Sequence, residues 1–92
     1  MKLNTQVNGI DLIELGKVIR WYRRSFNLTQ RELAKRIGTS LLCVSNWEQG
    51  KNKMLRVDML VKMARLFGIS ELDILYPSEE VQKCLDFDRR KS

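Results

Sequence analysis

Residues 28–50 read LTQRELAKRIGTSLLCVSNWEQG, and the punctuation of this stretch decides the architecture. Thr29 is followed three residues later by Glu32. In that T-x-x-E pattern a hydroxyl and a carboxylate reciprocally satisfy the open end of a helix. The helix it opens is predicted over Gln30 to Ile37, with Leu33, Ala34 and Ile37 on its buried face. Gly38 stops it, since glycine tolerates the left-handed conformation that ends a helix. Thr39-Ser40 then caps a further helix, Leu41 to Gln49, with Val44 and Trp47 turned inward and Gly50 at its end. Two short helices thus meet across a tight turn, and the small Ala34 lets them approach closely.

Working outward, a longer helix is expected to start near Asp11 and to carry Leu12, Leu15, Ile19, Tyr22 and Phe26 on one face. Asn27 follows where a helix wants a left-handed residue. Val18 and Trp21 widen the apolar stripe into a second surface, which can hold the C-terminal segment or form a dimer seam. After Gly50, Lys51 to Arg56 reads as a basic loop. A fourth helix, Val57 to Phe67, buries Leu60, Ala64 and Phe67, with Val61 and Met63 close by, and Gly68 ends it. Ser70 caps a short fifth helix containing Leu72 and Leu75, and Pro77 closes the unit. The organisation is therefore an arm at residues 1–10, an all-α, five-helix domain at 11–77 and an extension at 78–92. Ser78-Glu79-Glu80 can start a short sixth helix carrying Val81, Cys84 and Leu85, with Arg89 to Ser92 fraying at its end.

Ninety-two residues suffice for one core and one domain. The formal net charge of +6 is unevenly placed. From Gly16 to Arg56, ten cations face only Glu32 and Glu48, while the rest of the chain is slightly acidic. Such a basic centre is the footprint expected for a polyanion, although solvated helix faces are often basic too. The chain has no histidine, and Cys43 and Cys84 have neither an imidazole partner nor metal-ligand spacing. With no Gly-rich phosphate loop either, an enzyme is not expected, nor is a metal or cofactor. Both cysteines read as reduced, Cys43 buried beside Val44 and Trp47. No apolar run approaches a membrane span and no signal-peptide core is seen, so the expected location is cytoplasmic.

A helix pair of this shape can lay its first helix across a DNA backbone and aim its second into the major groove. By pattern alone, similar hairpins occur in proteins that never touch DNA. Further residues narrow the choice. Gly16-Lys17-Val18-Ile19-Arg20, Leu28-Thr29-Gln30 through Leu33-Ala34, Gly38-Thr39-Ser40, Val44-Ser45-Asn46-Trp47-Glu48-Gln49-Gly50-Lys51, Leu60, Ala64 and Phe67-Gly68-Ile69-Ser70 together resemble the phage repressor/Cro helix-turn-helix family, the XRE-like regulators. The resemblance covers about two-thirds of the chain and implies a λ-repressor-like fold and DNA binding.

It also implies roles for residues. Gln30 matches the glutamine that bonds a phosphate at a helix N-terminus, with Thr29 and Ser40 as neighbouring backbone contacts. Gln49, Lys51, Lys53 and Arg56 match the loop that grips the backbone on the other side. Arg23 and Glu48 correspond to a pair joining the first helix to the end of the third, which makes Glu48 structural. Leu41, Leu42, Ser45 and Asn46 are expected at base edges, where Asn46 can pair with adenine. Leu41 and Leu42 depart from the polar residues usual there, and can pack on thymine methyls. The expected partner is double-stranded DNA bearing a pseudo-palindromic operator, bound by a homodimer. The alternative is an antitoxin-like or regulatory module whose main role is to bind a partner protein.

Overall fold

Asp11 opens the first helix from an extended conformation, its carboxylate accepting the Ile13 N–H at 2.9 Å. This cap begins a computed structural model that describes residues 11–51 and 56–91, with side chains as far as Leu85. The expected arm at 1–10 and Lys53 of the basic loop lie outside the described residues. The helices are α1 (Leu12–Ser25), α2 (Gln30–Ile37), α3 (Leu41–Gln49), α4 (Val57–Phe67), α5 (Glu71–Leu75) and α6 (Glu79–Lys91), with no strand among the described residues. The Thr29 capping box is complete. Glu32 N–H donates to the threonine hydroxyl at 3.0 Å, and Thr29 N–H donates to the Glu32 carboxylate at 2.8 Å. Asn27, at φ 57°, is the non-glycine residue that takes the left-handed conformation after α1. Gly38 takes it after α2 (φ 79°).

α2 and α3 pack on each other, and α1 lies across α3. The centre of the core is Val18, Ile19, Leu33, Val44, Met63 and Ile74, all fully buried. Val18 is as deeply buried as Ile19, and α6 packs against α1 and adds Val81 and Leu85 to the same core, in line with a surface that can hold the C-terminal segment. Other expectations are corrected. In α4 the deepest side chain is Met63, with Met59 also buried, and Val61 is only half-buried. In α5, Ile74 is the buried anchor, whereas Leu72 is exposed. Phe26 is also exposed, yet its ring rests 5.3 Å from that of Phe67, which stacks on Tyr22. Burial, and then the nearby Asp73 charge, raise the Tyr22 phenol above its usual pKa. Cys84 is exposed, and α6 continues through Lys91 instead of fraying at Arg89.

The α1–α3 crossing rests on two local features. At Gly16 the backbone of α1 meets the C-terminal carbonyls of α3. An added Cβ would overlap the Trp47 carbonyl oxygen and come within 2.8 Å of that of Glu48. Seven residues on, Arg23 grips the Glu48 carboxylate bidentately, Nε to Oε2 at 2.6 Å and Nη2 to Oε1 at 3.0 Å. Its Nη1 donates to the Leu28 carbonyl at 2.7 Å, which ties the turn before α2 to the same pair. Burial acts to raise the pKa of Glu48. Bonds from Arg23, Gln30 and Arg20 outweigh it and hold the carboxyl below the usual range.

Two stability predictions follow from this crossing. Gly16→Ala should cost about 1–3 kcal/mol or more by overpacking against unyielding backbone, read as a lower urea midpoint at constant m. Glu48→Gln should cost about 3–5 kcal/mol near neutral pH, since it leaves the Arg23 charge buried and unpaired. Because the folded carboxyl has the lower pKa, its stabilisation is present above the unfolded glutamate value and is lost as pH falls through the folded one. Urea titrations across that acid range should therefore bring wild type and Glu48→Gln together as pH drops. A gap that does not narrow would contradict the charge-pair account.

Candidate nucleic-acid interface

The site is built on α3. Its N-cap, Ser40, accepts the Cys43 N–H at 3.1 Å, and no acidic residue occupies the first turn, so the positive end of the helix is left uncompensated. Val44, Trp47 and Glu48 form the buried line of α3. Positions 41, 42, 45, 46 and 49 then fall on the opposite side, as the helical period requires. Leu42 is 68% exposed and Leu41 37%, so two large apolar side chains stand on the surface at the start of this helix. Ser45 and Asn46 follow, half-buried, and Gln49 is exposed at the last turn. Gln49 Nε2 donates to Ser45 Oγ at 2.8 Å, which links these two residues one turn apart.

The groups that the family resemblance implies lie in the sequence on either side of this face. Gln30, in the first turn of α2, has its amide Nε2 bonded to Glu48 Oε1 at 3.0 Å. The hydroxyls of Thr29 and Ser40 accept backbone N–H groups, and that of Thr29 has a proton to donate outward, whereas Ser40 also bonds the Cys43 thiol. The Glu32 carboxyl that completes the Thr29 cap has a lowered pKa, chiefly through the Thr29 backbone N–H. After α3, Lys51 is exposed, and its N–H bonds the Asn46 carbonyl at 2.9 Å, which fixes where the chain leaves the helix. Arg56 begins α4 and pairs with Asp58 at 3.2 Å, both exposed. Such an exposed pair contributes little and is readily exchanged for another anion.

Two further residues were not anticipated. Arg20 is a third partner of Glu48, Nε to Oε1 at 3.3 Å. Its signal was the i,i+3 spacing from Arg23, which puts both guanidinium groups on one face of α1. Gly16 stands in the sequence only as part of a motif, although the α1–α3 contact depends on it. Cys43 differs from expectation. It is partly exposed at the edge of the core, because it lies a third of a turn from the inward Val44. Hydrogen bonds from Ser40 and then Thr39 lower its thiol pKa. Among the described residues no group of three His, Cys, Asp or Glu side chains converges on a possible metal position. No described helix is long and apolar enough to cross a membrane.

Comparison with known proteins agrees with this geometry. The family model described as Helix-turn-helix matches residues 19–74. A helix-turn-helix-type transcriptional regulator of Archaeoglobus fulgidus is 40% identical over 63 residues, covering 67% of this chain and 86% of that protein. Another, of Methanocaldococcus jannaschii, is 35% identical over 63 residues, covering 67% and 94%. Among solved structures, the restriction-modification controller protein C.AhdI from Aeromonas hydrophila superposes with a TM-score of 0.65 at 25% identity, over 70% of this chain and 96% of that one. The matched segment contains the capped α2–α3 pair and the Arg23–Glu48 clasp, and the chain belongs to the XRE/Cro-type helix-turn-helix family of DNA-binding transcriptional regulators.

Proposed function

We propose that this protein is a sequence-specific, double-stranded-DNA-binding repressor that reads the major groove with α3 as a homodimer. One observation carries this reading. The face of α3 formed by Leu41, Leu42, Ser45 and Asn46 lies opposite its buried line, and the sequence before and after it carries two sets of donors suited to phosphates. Thr29, Gln30 and Ser40 form one set, and Gln49, Lys51 and Arg56 the other, with Lys53 assigned to the second by the motif alone. Asn46 hydrogen-bonds an adenine edge, Leu41 and Leu42 meet thymine methyls, and Ser45 contacts a base beside them. Gln49 gives one amide N–H to Ser45 and offers the second to the backbone. Phosphate contacts set the register and base contacts supply the preference. The DNA-binding unit is residues 11–77, and its action is cytoplasmic, on the operator. Occupying a promoter blocks polymerase, which makes repression the direct outcome.

A two-fold dimer calls for half-sites roughly 34 Å apart, about one turn of the double helix. Selecting bound duplexes from a random library should therefore enrich a two-fold symmetric motif. Asn46→Ala and Leu42→Ala should each relax preference at a particular base pair of that motif, by about 1–3 kcal/mol for the asparagine. With ~5 phosphates neutralised per domain, log affinity should fall with log salt at a slope of about −4 to −5 per half-site. Salt-sensitive binding with no enriched motif would mean that α3 reads little on its own. The protein-partner role would then become the better reading.

A further inference from the structure

We infer that Arg20 and Gln30 form a phosphate clamp mounted on the Glu48 carboxylate, an inference that rests on the DNA-binding reading above and adds α1 to the surface that meets the duplex. Glu48 Oε1 accepts three bonds: from Arg23 Nη2 and Gln30 Nε2 at 3.0 Å each, and from Arg20 Nε at 3.3 Å. Sharing one acceptor atom places the Arg20 guanidinium and the Gln30 amide side by side. Their exposures divide the labour among the three cationic and anionic groups. The Arg23 and Glu48 side chains are 10% and 0% exposed and neutralise each other, whereas that of Arg20 is 40% exposed. Arg20 is thus the cation of the cluster whose charge is left for a partner in solvent.

Its donors are left as well. A guanidinium carries five N–H groups, and among the described residues only the one on Nε finds a partner. Neither terminal nitrogen of Arg20 bonds any described residue, and the Gln30 amide has a second N–H beyond the one given to Glu48. A phosphodiester is a tetrahedral anion with two free oxygens, and a planar fork beside an amide donor suits it. Glu48 serves as a positioning residue. By fixing one atom of each donor it removes rotamer freedom that would otherwise be lost on binding.

The test measures binding of the full chain to a random-sequence duplex pool over a range of salt, for wild type, Arg20→Gln and Arg20→Lys, at a temperature where all are folded by circular dichroism. Arg20→Gln should weaken binding by a similar factor on every sequence and make the log–log salt slope shallower by about 0.9 per bound domain. Arg20→Lys should restore the slope. The melting midpoint of Arg20→Gln should stay near wild type, since Arg23 and Gln30 still hold Glu48. An unchanged slope, a loss confined to particular base pairs, or a fall in the midpoint without a change in slope would each overturn the clamp. A wild-type protein with no salt-dependent binding would instead overturn the DNA-binding reading on which it rests.

Discussion

The Glu48 carboxylate has no exposure to water, and an unpaired charge in that position would cost several kcal/mol. It is tolerated because two helices supply donors to it, α1 through Arg20 and Arg23 and α2 through Gln30, while the Leu28 carbonyl accepts from Arg23 and ties the turn before α2 to the same cluster. The dependence runs in both directions. A charge that must be satisfied from several elements at once penalises any arrangement in which one of them is displaced. The position of α3 is thus set by a directional polar constraint as well as by the apolar packing of Val44 and Trp47. Gly16 then makes the close approach sterically possible.

Much of the fold was legible because its boundaries are written in local chemistry. Asp11, Thr29 and Ser40 each accept a backbone N–H at a helix start. Gly38, Gly50 and Gly68 each take the left-handed conformation at a helix end, and these events depend on neighbours within four residues. What was misjudged depends on distant packing. Choosing Ile74 over Leu72 in a five-residue helix requires knowing which side α4 and α1 approach, which periodicity over so few residues does not reveal. The Val18 surface, by contrast, reads as one that can hold the C-terminal segment, and α6 does pack against α1.

The candidate site divides the same way. Which residues of α3 face outward follows from its period once Val44 and Trp47 are known to face in. The Arg23–Glu48 pairing came from family resemblance, and no spacing rule would have joined residues 25 apart in sequence. Arg20 and the Gln30–Glu48 bond were not anticipated because both arise where three helices converge, and that convergence is invisible to any one segment. Cys43 shows how finely helical phase matters, since one step from the fully buried Val44 brings a side chain to the rim of the core.

The close approach at Gly16 has a mechanical meaning. Backbone pressed against carbonyl oxygens leaves α3 no side-chain cushion on which to slide or tilt relative to α1. A reading head so rigidly mounted, if it enters a groove as proposed, cannot remodel itself to suit an ill-fitting duplex. The accommodation must come from the nucleic acid, through bending, twisting or a change in groove width, whose energy varies with the base steps being deformed. Stiffness in the protein would in this way become a preference for pliant or suitably curved sequences at positions that no side chain touches.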